Sequence, residues 1–135
     1  ANSIIPTTTG AAKAVTIVIP ELEGKIDGMA YRVPVITGSV TDLTVKLTKE
    51  ASLADVNEAF RQASMSEGLH GILGYSDEPL VSVDYIGNSN SCTIDSLATS
   101  AVGDGFVKIV GWYDNEWGYS SRTADLANLM LEKGL

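Results

Sequence analysis

The sequence predicts an α+β fold, a largely antiparallel mixed sheet covered by helices on one face. Three observations carry that expectation. Leu43, Val45 and Leu47 alternate with Asp42, Thr44 and Lys46, the pattern of a strand with one face on a core. Leu53, Val56, Phe60 and Ala63 recur at three- and four-residue steps, the period of an amphipathic helix. Helical segments are interposed singly among the strands, not in strict alternation with them. At 135 residues, 44% hydrophobic and 19% charged, the chain is long enough for one domain with a continuous core.

In chain order, Thr9-Gly10 ahead of Ala11-Ala12-Lys13-Ala14 reads as a helix start, and Pro20 ends that helix. The β-branched run 15–19 leaves a strand open as the alternative. Glu23-Gly24-Lys25 and Asp27-Gly28 mark turns. Residues 29–34 and 39–47 read as strands, with Val40 out of phase in the second. A helix is expected over 53–65, where Ser52 is a good N-cap, Asp55 lies in the first turn and Gly68 follows the end. Residues 80–85 and 92–99 read as short strands separated by the loop Gly87-Asn88-Ser89-Asn90. A further strand covers 106–113. The last helix is expected over 121–133, with Ala124, Leu126 or Ala127, Met130 and Leu131 as its apolar positions and Gly134 as its stop.

Composition narrows the function. A net charge of −8 argues against general binding to nucleic acid or anionic membrane, both polyanions. It leaves room for a local anion site. One cysteine gives no intrachain disulfide, and nothing points to an oxidising compartment. The apolar run 14–19 is far too short to span a bilayer, and no targeting pattern opens the chain. A start at Ala1-Asn2-Ser3, without lead-in, is that expected of an internal stretch of a longer polypeptide.

Several residues are candidates for chemistry. If a helix begins at Thr9-Gly10, its unpaired N–H groups and the Thr9 hydroxyl make an anion cradle; simple N-capping by Thr9 is the bland alternative. Arg32, in an apolar strand, needs a partner: a phosphate, or one of the 17 acids. Asp114 and Glu116 have no nearby His or Cys and make a weak metal site. Cys92 reads as a packed thiol, with no basic partner to activate it. His70, in a turn, reads as solvated.

The segment Trp112-Tyr113-Asp114-Asn115-Glu116-Trp117-Gly118-Tyr119 gathers four of the chain's seven Trp and Tyr residues around two acids and an amide. It closely resembles the C-terminal signature of phosphorylating glyceraldehyde-3-phosphate dehydrogenases. Ser3-Ile4-Ile5-Pro6-Thr7-Thr8-Thr9-Gly10-Ala11-Ala12-Lys13-Ala14, Gly28-Met29-Ala30-Tyr31-Arg32-Val33-Pro34 and Gly71-Ile72-Leu73-Gly74-Tyr75 resemble that family in the same order. At Val35-Ile36-Thr37-Gly38 the chain departs from a Thr-Pro-Asn-Val type of pattern, which reads as a loop change that leaves the contact positions intact.

The resemblance implies that residues 1–135 form the C-terminal part of the catalytic domain. The Rossmann NAD-binding domain and the catalytic Cys/His segment are not present in this chain. In such enzymes a cysteine attacks the aldehyde of glyceraldehyde 3-phosphate, hydride passes to NAD, and inorganic phosphate cleaves the thioester. The resemblance gives Thr9, Gly10 and Arg32 as phosphate-binding residues, with no catalytic residue in this segment. It gives Asn115 as the residue holding the nicotinamide carboxamide, with Tyr119 packing nearby; a turn-forming Asn115 is the alternative. It further implies a cytoplasmic homotetramer using NAD, with NADP left open. Erythrose-4-phosphate dehydrogenase shares these motifs, and a stand-alone non-catalytic module is the reading of another class.

Overall fold

The computed structural model describes residues 2–103 and 105–135, which fall into two compact units, one reaching to Ile36 and the other comprising Thr37–Leu135. The first unit is a two-stranded antiparallel ladder with one helix. Strand β1 (Ile5–Thr7) pairs with β2 (Ala30–Arg32), Ile5 opposite Arg32 and Thr7 opposite Ala30. Pro6 lacks an N–H and is tolerated because the ladder has only edges. Helix α1 (Ala11–Val18) settles the choice left open for the run 15–19 in favour of helix as far as Val18, with Ile19 already outside it. It stops two residues before Pro20, which opens a single 3-10 turn, Pro20–Leu22.

The second unit holds a four-stranded sheet in the order β3-β6-β5-β4, with β3 (Ser39–Lys46), β4 (Leu73–Ser76), β5 (Cys92–Val102) and β6 (Phe106–Tyr113). The β3–β6 and β6–β5 pairs are antiparallel and β4–β5 is parallel, so the sheet is mixed and mostly antiparallel, as expected. Helix α2 (Leu53–Met65) starts on a full capping box: Ser52 Oγ accepts the Asp55 N–H at 3.1 Å, and Asp55 Oδ2 accepts the Ser52 N–H at 3.0 Å. Its Val56, Ala59, Phe60 and Ala63 line a groove over Val107 and Ile109 of β6. Asn57 donates to the Ser96 carbonyl at 3.3 Å and ties the helix to β5.

Register sorts the sheet residues between two faces. Leu43, Val45 and Ile94 share the α2 face with Val107, Ile109 and Gly111. Val40, Thr93 and Asp95 share the other with Val110 and Trp112. Val40 is out of phase with Leu43 because it serves that second face, opposite Trp112. There the buried Tyr85 ring stacks on Trp112, with centroids 5.9 Å apart and planes 9° from parallel.

Several details differ from the sequence expectation: strand β1 was not expected, and the strand expected over 29–34 is confined to Ala30–Arg32, since β1 offers only three residues to pair with. Residues 80–85 are not a strand: Asp84 accepts the Val81 N–H at 2.8 Å, and Ser82–Tyr85 winds into a 3-10 turn. Strand β4 was not expected, because Gly74 lowers β-propensity; yet a Cβ at Gly74 would stand 2.5 Å from both Asn90 Nδ2 and Thr93 Oγ1. Strand β5 runs past residue 99 to Val102 through an irregularity between Asp95 and Ser100. Helix α3 (Trp117–Glu132) begins four residues earlier than position 121. None of the described helices is long and apolar enough to cross a membrane.

Candidate functional site

The aromatic-rich segment forms a fixed corner between β6 and α3. Asp114, only 5% exposed, accepts the backbone N–H groups of Gly87 at 2.9 Å, Glu116 at 2.9 Å and Trp117 at 2.8 Å. Those bonds from Gly87 and Trp117, with Glu116 adding a smaller share, hold the Asp114 carboxyl below its ordinary value against the opposing effect of burial. Asp114, two residues ahead of the N-cap Glu116 in sequence, therefore holds the first N–H of α3, that of Trp117, and fastens the helix start to the loop after Tyr85. Its oxygens are engaged with backbone N–H groups, a structural task and not one of acid–base chemistry.

Two further contacts complete the corner. Gly118 is buried, and a Cβ there would lie 2.8 Å from the Asn90 carbonyl oxygen, so only glycine allows α3 this approach. Arg122 donates from Nη1 to the Gly71 carbonyl at 3.0 Å and pairs through Nη2 with Asp125 at 2.7 Å. Neither Gly118 nor Arg122 was singled out from sequence. A lone glycine at a strand exit gives no sign of a close helix approach, and an arginine in a polar helix face carries no signal of its destination.

Asn115, exposed on this corner, uses its two polar atoms unequally. Oδ1 accepts the Gly38 N–H at 3.1 Å and the Ser39 hydroxyl at 3.2 Å, with Thr37 Oγ1 at 3.5 Å. No bond from Nδ2 is found among the described residues, which leaves an exposed amide donor. An Asn that donates outward fits a carbonyl acceptor such as that of a carboxamide. Tyr119, one turn into α3, is 76% exposed and free to present its ring.

In the first unit the N-cap of α1 is Gly10, not Thr9; Thr9 lies one residue earlier, and its Oγ1 accepts the Ala11 N–H at 3.1 Å. That bond uses an oxygen lone pair and leaves the hydroxyl proton available to a ligand. Gly10 has nothing within 4 Å of where a Cβ would be. Arg32 is exposed, not partly buried as its apolar neighbours suggested, because β2 has only β1 beside it. Among the described residues it forms no ion pair, and no hydrogen bond joins it to Thr9 or Gly10. Arg32 lies opposite Ile5, at the end of the ladder away from Thr9.

Cys92 is half-buried on the α2 face of β5, and a Cβ at Gly111 would collide with its Sγ. Burial pushes the thiol up, away from the thiolate form. His70 lies exposed in the turn that follows α2.

A family model described as "Glyceraldehyde 3-phosphate dehydrogenase, C-terminal domain" matches residues 1–115. Proteins named glyceraldehyde-3-phosphate dehydrogenase from Priestia megaterium (strain DSM 319 / IMG 1521) and Geobacillus stearothermophilus are 55% and 56% identical over all 135 residues. Glyceraldehyde-3-phosphate dehydrogenase 1 of Bacillus subtilis (strain 168) is 53% identical over the same span. The chain covers 40% of the length of each of these relatives. By this match the chain belongs to the glyceraldehyde-3-phosphate dehydrogenase family, and to its C-terminal domain.

Proposed function

We propose that this chain is part of an NAD-dependent, phosphorylating glyceraldehyde-3-phosphate dehydrogenase, which converts glyceraldehyde 3-phosphate to 1,3-bisphosphoglycerate. One observation carries the reading: identity of 53% or more over all 135 residues with proteins named glyceraldehyde-3-phosphate dehydrogenase. The same names favour the three-carbon substrate over erythrose 4-phosphate. On this reading the enzyme is a cytoplasmic homotetramer, and the segment by itself has no turnover.

The chain's own residues then have distinct tasks. Thr9 and Gly10 offer hydroxyl and backbone donors at the positive end of α1, and Arg32 a planar guanidinium, to phosphate groups. Asn115 donates from Nδ2 to the nicotinamide carboxamide and fixes which ring face is presented; Tyr119 packs beside it. NAD, when bound, supplies the hydride acceptor.

Substituting Asn115 tests the assignment in the intact enzyme. Asn115→Ala is expected to cost about 1–3 kcal/mol of transition-state stabilisation, lowering turnover more than dinucleotide affinity. Stereospecific deuterium transfer should degrade with it. Unchanged stereospecificity and turnover with a lowered melting temperature would return Asn115 to a turn residue.

A further inference from the structure

The approach to β3 decides which way the Asn115 amide faces. Its carbonyl oxygen has two lone pairs, and the Gly38 N–H and Ser39 hydroxyl fill them at 3.1 Å and 3.2 Å. Were the amide turned over, its NH2 would meet the Gly38 N–H, donor against donor. The Ser39 hydroxyl can rotate to accept, but a backbone N–H cannot reverse its polarity. Gly38 therefore carries the directional information and Ser39 adds strength to it.

That N–H is aimed by an unusual backbone. Gly38 has φ +94°, where L side chains are rarely found, and a Cβ there would meet the Ser82 carbonyl oxygen at 3.1 Å. Gly38 also lies in the stretch 35–38, where the chain departs from its family's usual pattern. The departure is not a remote loop change, since Thr37 and Gly38 both reach Asn115.

We propose that Gly38 and Ser39 are positioning residues that lock the Asn115 side chain with its carbonyl held and its NH2 presented, so that it selects an acceptor atom on its ligand. This rests on the reading of Asn115 as a nicotinamide contact. Ser39 does not touch the cofactor on this account; it acts only through Asn115.

The test is a double-mutant cycle in the intact enzyme, with Ser39→Ala, Asn115→Ala and the double variant, and Ser39→Thr as the conservative control. Gly38 is left alone because its variants are open to misfolding. Two readouts are taken: turnover with deuterium stereospecificity, and calorimetric affinity of the cofactor-free protein for NAD and for ADP-ribose, which lacks the nicotinamide. Ser39→Ala should lower turnover roughly threefold to tenfold, the scale of one hydrogen bond, and weaken NAD binding while sparing ADP-ribose. Ser39→Thr should restore most of both. In the Asn115→Ala background, Ser39→Ala should add nothing. An equal loss in both backgrounds, a loss shared by ADP-ribose, or no loss would overturn the positioning role. If Asn115→Ala itself changes neither readout, the nicotinamide assignment falls instead, and the inference falls with it.

Discussion

The indole N–H of Trp112 donates to Oδ2 of Asp95 at 3.0 Å, across the pair of central strands. The other carboxylate oxygen accepts the N–H groups of Leu97 at 3.0 Å and Ala98 at 2.9 Å. One buried side chain thus closes the irregular stretch of β5 and anchors the ring on which Tyr85 stacks. An amide has only one oxygen and cannot serve both sides. Asp95→Asn should destabilise the protein by about 1–3 kcal/mol, read from denaturant unfolding. Trp112→Phe, which keeps one aromatic ring but removes the N–H with the rest of the indole, should lose at least a comparable amount, and the double variant should lose less than the sum of the two.

The Asp114 carboxyl predicts an acid limit for the corner. Its folded value lies below the ordinary 3.8, so its contribution is fully present above that value. The contribution is lost as pH falls through the lower folded value. Melting temperature should hold from neutral pH down to about pH 4 on account of this group, then drop. Asp114→Asn should flatten that acid drop and lower stability at neutral pH. A parallel pH profile for variant and parent would show that Asp114 does not set the limit.

Arg32 separates phosphate steps from cofactor steps. In the intact enzyme Arg32→Ala should weaken phosphate-dependent kinetics by about 1.5–3 kcal/mol, the scale of a hydrogen bond to a charged group, and leave NAD affinity nearly unchanged. Arg32→Lys should recover only part, since an ammonium lacks the planar fork. Because Arg32 is exposed and holds no ion pair among the described residues, thermal stability should barely move. Equal phosphate kinetics in variant and parent would remove Arg32 from the site.

Cys92 should prove inert. The isolated 135-residue chain is expected to show no NADH production, and Cys92→Ser in the intact enzyme should leave turnover nearly unchanged. With the thiol packed against Gly111 and pushed up by burial, alkylation at neutral pH should be slow. Turnover by the fragment, abolished by Cys92→Ser, would reverse this reading.

The parts of the fold legible in the sequence were those written in local periodicity. Helix α2 appears with its predicted ends because Ser52, Asp55 and the apolar spacing all speak within one turn of each other. Strand β3 differs from its expected span only by Leu47. The rest depended on contacts far apart in the chain. Strand β4 carries no local signal, and Gly74 fits there because Asn90 and Thr93, far along the chain, leave no room for a side chain. Residues 80–85 are the exception: the Asp84–Val81 bond is local, three residues apart, but the apolar Leu80, Val81, Val83 and Tyr85 read as a strand and masked it. At the candidate site, the family resemblance pointed to Asn115, but which half of its amide is free depends on Gly38, 77 positions away. No pattern within the octapeptide could convey that.

Arg122 reaches from α3 to the Gly71 carbonyl, just ahead of the four-residue edge strand β4. Peripheral elements of this kind ordinarily fray one at a time, the last helix and the edge strand opening independently. A guanidinium shared between them couples the two events, because release of the helix also strips the carbonyl at the strand's approach of its donor. The edge of the sheet is thereby tied to the helix that begins at the corner carrying Asn115.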